Sequence, residues 1–158
     1  MGFREVKKEL ERIDKTEIIK LISEMYKKIP SVKAYLDVFV TGEIDQLVSK
    51  YKKEIERYVY PSGSNMILRE SEARKLIRTI RKMKITELNI ELELHYVICC
   101  LEIIQDFGYY DNNYYIAIEK MFYSATNEIA EMGIIERYEK QLDSISLKAS
   151  EFGLELNY

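Results

Sequence analysis

The sequence has few residues that interrupt or cross-link a chain. Among 158 residues there are two prolines, six glycines, two cysteines, one histidine and no tryptophan. So few prolines and glycines leave few turns, which argues against a fold of many short strands. The cysteines are neighbours, Cys99 and Cys100, and adjacent helical positions point about 100° apart, so they are poorly placed to bridge each other. We expect buried thiols in a cytoplasmic protein.

Long apolar runs are also absent from the sequence. The longest extends from Tyr96 to Leu101, against the ~20 residues that a membrane-spanning helix needs. The first residues, MGFREVKKELERIDK, contain no apolar stretch of the kind that a secretory leader carries. We therefore expect a soluble protein that does not enter a membrane. A chain of this length buries roughly two thirds of its unfolded surface without help from a disulfide or a metal, and we predict no cofactor.

Apolar residues recur every three to four positions through almost the whole chain, which is typical of amphipathic helices. The pattern predicts an all-α fold, a multi-helix bundle of about seven to eight helices in a single domain over residues 1–158. The clearest loop signal is PSGSN at residues 61–65. It is a candidate boundary after an N-terminal helical subdomain.

Capping residues suggest where several helices begin and end. Asp14, Ser31 and Thr86 each precede an apolar pattern and are predicted N-caps, as is Asp111 or its neighbour. Gly108 follows the longest pattern and is a predicted C-terminal stop. The second helix is predicted to bury Ile18, Leu21, Ile22 and Met25, and the third to carry Val32, Tyr35, Leu36 and Phe39 on one face. The last helix shows a short heptad seam of Ile135, Tyr138, Leu142, Ile145, Ala149 and Phe152.

Three segments carry a resemblance to a known family. They are GFREVKKELERIDKTEIIKLISEMYKK, VKAYLDVF and ELHYVICCLEIIQDFGYYDNNYYIAIEKMF, the last with a glycine-to-aspartate turn at residues 108–111. Together they resemble a family of small bacterial all-helical proteins classed as a domain of unknown function. The resemblance implies a helical fold over most of the chain. It implies no activity and no catalytic residue.

The only histidine and one cysteine lie on a polar stripe of the longest helix. At 100° per residue, Glu91, His95, Cys99, Glu102 and Asp106 fall within about 80° of one another. Such a stripe can be a metal site, a thiolate activated by the histidine, or the solvent edge of a buried helix. We favour the solvent edge, because the chain has no other histidine or cysteine outside this helix to complete a metal site.

Charge is divided unevenly along the chain. Residues 1–84 hold 20 Lys and Arg against 13 Asp and Glu, whereas residues 85–158 hold 4 against 14. The sharpest basic element is the helix at 73–84, where Arg74, Arg78 and Arg81 share a face with Lys75 and Lys82 beside it. This face contacts a polyanion such as nucleic acid, docks on the acidic second half, or is simply solvated. The low sequence pI, about 5.4, favours docking.

Tyrosines cluster at one predicted turn. Tyr109, Tyr110, Tyr114 and Tyr115 bracket it, and tyrosine is enriched at protein interfaces as well as in helix packing. Our leading hypothesis is a non-enzymatic helical interaction protein that self-associates or binds a protein partner through this turn and the heptad seam. The alternatives are a polyanion-binding regulator that uses the helix at 73–84, and an enzyme of unrecognised type.

Overall fold

The residues that the structure describes form eight α-helices. The structure, a computed structural model, describes residues 2–61, 69–108 and 111–158. The helices are α1 (Phe3–Leu10), α2 (Lys15–Lys28), α3 (Pro30–Thr41), α4 (Asp45–Val59), α5 (Glu70–Arg81), α6 (Thr86–Phe107), α7 (Asn112–Glu131) and α8 (Ile135–Ser150). The described residues contain no strand. The predicted all-α fold is confirmed, at the upper end of the predicted helix count.

The chain forms two compact units, Met1–Glu43 and Ile44–Tyr158. The first contains α1 to α3 and the second contains α4 to α8. The boundary that we predicted in the loop 61–65 lies, apart from Pro61, outside the described residues.

Two predicted N-caps are confirmed. Asp14 Oδ1 accepts a hydrogen bond from the backbone N–H of Glu17 at 2.9 Å, at the start of α2. Asp111 Oδ1 accepts one from the backbone N–H of Tyr114 at 2.8 Å, at the start of α7. The predicted stop after α6 is also present, since the helix ends at Phe107 and the next residue is a glycine with φ +83°.

Two other predicted caps are wrong. Ser31 lies inside α3, because Pro30 is already its first residue and Ile29 is the N-cap. Proline suits the first helical position, where its missing N–H is not needed and its φ is already helical. Thr86 is likewise the first residue of α6, and the N-cap is Ile85, which makes no side-chain capping bond.

In the N-terminal unit, a polar cluster joins α2 to α3. Tyr26 donates its hydroxyl to Asp37 at 2.7 Å, and Lys33 Nζ donates to both residues, at 2.8 Å to the tyrosine and 2.6 Å to the aspartate. Bonding to Lys33 holds the pKa of Asp37 below its usual value. The cluster is at the surface, so its contribution to stability is small.

The apolar face of α2 is not the core face that we predicted, since Leu21, Ile22 and Met25 are exposed and Ile18 is half-buried. On the apolar face predicted for α3, Tyr35 and Phe39 are exposed. In all three helices of this unit the one buried side chain is Ala34. Three short helices provide too little surface to cover one another, which is why the prediction fails here.

In the C-terminal unit, α6 is the central element. It contacts α4, α5, α7 and α8, and thirteen of its 22 residues are buried. Its apolar residues cover nearly the whole circumference, as a helix surrounded on all sides requires. The heptad seam of α8 belongs to the same core, since Tyr138, Leu142, Ile145 and Ala149 are buried. These four residues of the seam are therefore not an accessible contact surface, whereas Ile135 at its start is exposed.

None of the helices in the described ranges is both long and apolar enough to cross a membrane.

The cap of α7 gives a local test of the fold. We expect Asp111→Ala to lower the free energy of unfolding by about 1 kcal/mol, because the Tyr114 N–H loses its acceptor. Asp111→Asn is the matched control, since asparagine caps as well as aspartate does. Chemical denaturation followed by circular dichroism measures both variants. An equal loss in both would show that the capping oxygen is not the source of the stability.

Candidate functional site

The basic face of α5 consists of the cations predicted from sequence. Two of them form ion pairs within their own helix: Arg74 Nε lies 3.1 Å from Glu70 Oε2, and Lys75 Nζ lies 2.7 Å from Glu72 Oε1. Such pairs, one turn apart, each contribute a few tenths of a kcal/mol, about 0.2–0.5, to helix stability. Arg78 and Lys82 are exposed.

Arg81, the last residue of α5, reaches out of its own helix. Its Nη1 lies 2.6 Å from Glu93 Oε1 on α6 and bonds to Ser124 Oγ on α7, and its Nη2 bonds to Glu128, also on α7. Ser124 in turn donates to Glu93 Oε1 at 3.1 Å. One guanidinium therefore bridges three helices, and both carboxylates belong to the acidic second half of the chain. These four residues are called the Arg81 network below.

Glu93 is the buried member of the Arg81 network. Its side chain is 0% exposed. Burial raises its pKa to about 7, although Arg81 and Ser124 oppose the shift. Oε1 receives both hydrogen bonds, whereas Oε2 is buried and has no hydrogen-bond partner among the residues that the structure describes. An unmatched buried carboxylate oxygen is costly, so this position is where a further donor would be most stabilising.

Our sequence reasoning missed Glu93. A signal was present, because Glu93 falls about 200° around α6 from Glu91, on a side that is apolar apart from Asn89 one turn earlier. A single carboxylate between Leu92 and Leu94 requires a partner from another helix. The identity of that partner, Arg81, could not be read from the spacing.

Most of the polar stripe of α6 faces α4 and is not the solvent edge that we favoured, whereas Asp106 at the end of the stripe is exposed. Lys52 Nζ lies 2.8 Å from Glu91 Oε2, and Tyr138 of α8 donates to Glu91 Oε1 at 3.2 Å. Further along, the Tyr60 hydroxyl donates to Glu102. Lys52 lies on α4 and Tyr60 at its C-cap, so α4 meets α6 along polar side chains.

His95 lies in the middle of the polar stripe. Its Nε2 is 3.0 Å from Glu56 Oε1 and 3.5 Å from Cys99 Sγ. Burial, with help from Lys52, lowers the pKa of His95, so the ring is neutral near pH 7. A neutral ring that donates Nε2–H to Glu56 has no lone pair on that nitrogen for a metal or for a thiol proton.

Cys99 is correspondingly inert. It is buried, and burial raises the pKa of its thiol to about 12. A thiol that stays protonated is neither a nucleophile nor a metal ligand. In the described part of the chain, no three histidine, cysteine or acidic side chains are grouped so that they could hold a metal ion.

The predicted tyrosine cluster is divided by the structure. Tyr109 and Tyr110 lie outside the described residues. Tyr114 is 1% exposed and donates its hydroxyl to the backbone oxygen of Cys100 at 3.3 Å, so it is a core residue and not a surface aromatic. Tyr115 is half-buried and packs against the same core.

The family model described as "Family of unknown function (DUF6155)" matches residues 1–153. The chain belongs to this family. Membership confirms the resemblance to a family of unknown function and assigns no chemistry to any residue. Neither the curated proteins nor the solved structures provide a match.

Arg81 and Arg78 differ in their surroundings, and this difference can be tested. We expect Arg81→Gln to lower the free energy of unfolding at pH 8 by about 2–4 kcal/mol, because the loss of one partner strands the buried carboxylate of Glu93. This loss of unfolding free energy is smaller than for a fully buried ion pair, because the Arg81 side chain is 39% exposed. Arg78→Gln, on the exposed face of the same helix, should stay within about 0.5 kcal/mol of wild type. Urea denaturation measures both variants. If Arg81→Gln and Arg78→Gln lower the free energy of unfolding equally, the Arg81 network does not stabilise the fold as described.

The pKa of Glu93 gives a pH dependence of known sign. A carboxyl whose pKa rises from 4.5 to about 7 on folding binds its proton more tightly in the folded state, so its ionisation destabilises the fold. Relative to Glu93→Gln, wild type should therefore lose roughly 3 kcal/mol of unfolding free energy as the pH rises through this window, with no further loss above it. Denaturation midpoints at a series of pH values measure this. If wild type instead became more stable relative to Glu93→Gln as the pH rises through this window, the prediction would be wrong.

Proposed function

We propose that this protein is a helical interaction protein that self-associates through the N-terminal unit. The observation that carries the proposal is the exposure of large apolar side chains there: Phe3 is 78% exposed, Phe39 77% and Val40 80%. Isolated exposed apolar residues are ordinary, but contiguous apolar patches on a protein surface mark interaction sites.

The apolar residues of α2 and α3 form stripes in which most side chains are exposed, while Ile18, Val32 and Leu36 are half-buried. On α2 the apolar positions recur at steps of three and four, so they share one face. They are Ile18, Leu21, Ile22, Met25 and, at the C-cap, Ile29. On α3 a similar stripe consists of Val32, Tyr35, Leu36 and Phe39. Such faces have the pattern of helices that pack against other helices.

A unit of this size gains stability from a partner. Folds shorter than about 40 residues usually need oligomerisation, a metal or disulfides, because they bury too little of their surface. The unit of 43 residues is close to that limit and contains no cysteine. Burial of each Phe or Val side chain would contribute about 1.5–3 kcal/mol.

A second copy of the same chain suits this surface. Residues 1–43 contain nine Lys and Arg and eight Asp and Glu, so two copies of the unit meet with almost no net repulsion. A strongly charged partner would gain little from such a balanced surface. Identical apolar stripes are also self-complementary across a two-fold axis, which is the commonest symmetry of soluble oligomers.

The chemistry of the C-terminal unit is compatible with an interaction role in the cytoplasm. Cys99 and Cys100 are free and buried, and burial raises the pKa of both thiols to about 12. Free thiols of this kind are ordinary in a reducing compartment.

The polyanion-binding alternative has weaker support. Arg74 and Arg81 are both engaged by carboxylates of this chain, so phosphate contact by all three arginines of the face would have to displace those pairs. Arg78 and Lys82 alone would neutralise at most two phosphates, which is few for a nucleic-acid-binding surface.

The self-association proposal predicts a concentration-dependent mass. In sedimentation velocity, wild type should rise from the monomer mass of 18.8 kDa towards twice that value. The double substitution Phe39→Arg and Val40→Arg should weaken the dimer by about a hundredfold or more, since it places charge where apolar burial is lost. Both side chains are exposed in the chain itself, so the fold should be retained.

Leu147→Arg is the matched control. Leu147 is 68% exposed on α8, so this substitution also replaces an exposed apolar side chain with a charged one, adds one positive charge against the two of the double variant, and should leave association unchanged. A wild type that stays monomeric at every concentration, or association abolished equally by the control, would overturn the proposal.

A further inference from the structure

Residues 154–158, which follow α8, pack on α7 and α8 and are called the strap below. Leu154 and Leu156 are buried, at 4% and 1% exposed, whereas Glu155 and Asn157 are exposed. This alternation is that of an extended segment, which presents every second side chain to the same side. Both leucines belong to the core cluster of the C-terminal unit.

Side-chain hydrogen bonds join the strap to both helices. Tyr123 of α7 donates its hydroxyl to the backbone oxygen of Glu155 at 3.3 Å. The Tyr158 hydroxyl donates to Asp143 of α8 and lies 3.4 Å from the backbone oxygen of Glu139, on the same helix. The strap is therefore bonded to α7 and α8 together.

Few backbone hydrogen bonds hold the strap in place. Among the described residues, the one backbone–backbone bond that it makes joins the Leu154 N–H to the oxygen of Ala149, at 3.1 Å. A segment with few backbone bonds and two buried leucines gains little beyond the conformational entropy that is lost when it is ordered. Such segments open more readily than the helices on which they pack.

The strap leaves space unfilled between itself and the two helices. A cavity of about 160 Å³ is lined by Thr126 and Ala130 of α7, by Leu142 of α8, and by Asn157 and Tyr158 of the strap. Protein interiors are closely packed, so unfilled space forfeits contacts that a better-fitting segment makes. The α7 and α8 residues that contact the strap or line this cavity are called the strap groove.

We propose that the strap groove is a docking site for an extended segment of a partner protein, and that the strap is its intramolecular competitor. The segment that is seated in the groove shows the chemistry of the partner: two leucines with one polar residue between them, and a tyrosine two positions after the second leucine. The leucines enter the apolar core, Tyr123 donates to the backbone between them, and Asp143 accepts the tyrosine hydroxyl. The site is independent of self-association, since none of its residues lies in the N-terminal unit.

The strap is a strong competitor because it is tethered. It follows Gly153 directly, and a short tether gives a local concentration on the order of millimolar. Gly153 has φ +77°, a left-handed conformation that residues with a branched side chain rarely adopt. A branched residue at this position strains the turn that directs the strap into the groove, and leaves both leucines in place.

A peptide with the strap sequence tests the groove. Fluorescence polarisation of labelled LELNY measures its binding, and DEDNY is the matched control peptide. Two variants of the whole chain release the strap: Leu154→Asp with Leu156→Asp removes its apolar anchors, and Gly153→Val strains its turn. Each should bind LELNY at least about tenfold more tightly than wild type does, because the tethered competitor is weakened. Neither should bind DEDNY detectably.

Groove substitutions locate the bound peptide. Ala130 is exposed and lines the cavity, so Ala130→Arg, added to a release variant, should abolish peptide binding and keep the fold. Ser144→Arg is the matched control. Ser144 is exposed about 180° around α8 from Ile135, which lines the cavity, so the same charge is added away from the groove and should leave the affinity unchanged.

The proposal fails if the release variants bind LELNY no more tightly than wild type, or bind DEDNY equally well. It also fails if Ala130→Arg leaves the affinity unchanged or Ser144→Arg lowers it as much. Circular dichroism follows the helices, and if both release variants lose their helical signal, the strap is an integral part of the core and the proposal is wrong. If Ala130→Arg in wild type lowers self-association, the groove takes the strap of a second copy, and the partner that we assign is wrong.

Discussion

The enclosure of α6 is the constraint on which the C-terminal unit depends. Four helices contact α6, and more than half of its residues are buried. A charged side chain on such a helix is costly unless a neighbouring helix supplies an opposite charge or a hydrogen bond. Lys52 on α4 and Arg81 on α5 meet this need, and the positions of those helices around α6 are consistent with these pairs.

The two polar surfaces of α6 satisfy this constraint differently. Towards α4, the acidic groups Glu91 and Glu102 each have a donor, on α4 and at its C-cap respectively, and His95 is neutral. That surface is a matched packing interface. Towards α5 and α7, Glu93 is fully buried and keeps one oxygen without a partner in the described part of the chain. A group in this state responds to pH and to added hydrogen-bond donors, which makes it the better candidate for function.

The N-terminal unit presents the opposite situation. Its helices have clear apolar stripes, yet Ile22, Phe39 and Val40 are exposed and only Ala34 is buried. The C-terminal unit has five helices to surround its apolar residues, whereas this unit has three short ones. The amphipathic pattern is therefore the same in both units, and the amount of surface available to cover it differs.

Much of the secondary structure could be predicted from the sequence because it is local. The all-α class, the caps at Asp14 and Asp111 and the end of α6 at Gly108 depend on residues within about one turn of each other. The two wrong predictions, at Ser31 and Thr86, are also local, since each helix begins earlier than predicted and its N-cap is Ile29 or Ile85.

The candidate site depended on contacts that no local pattern contains. Arg81 meets partners 12, 43 and 47 residues away, and sequence spacing placed it only on a basic face. The stripe around His95 was identified correctly as polar, but α4, about 39 residues earlier in the chain, decides that it is covered. The sequence determined which face of each helix is apolar and which is charged, because that follows from 3.6 residues per turn. Tertiary structure alone decided what lies against each face, because packing brings together residues that are distant in the chain.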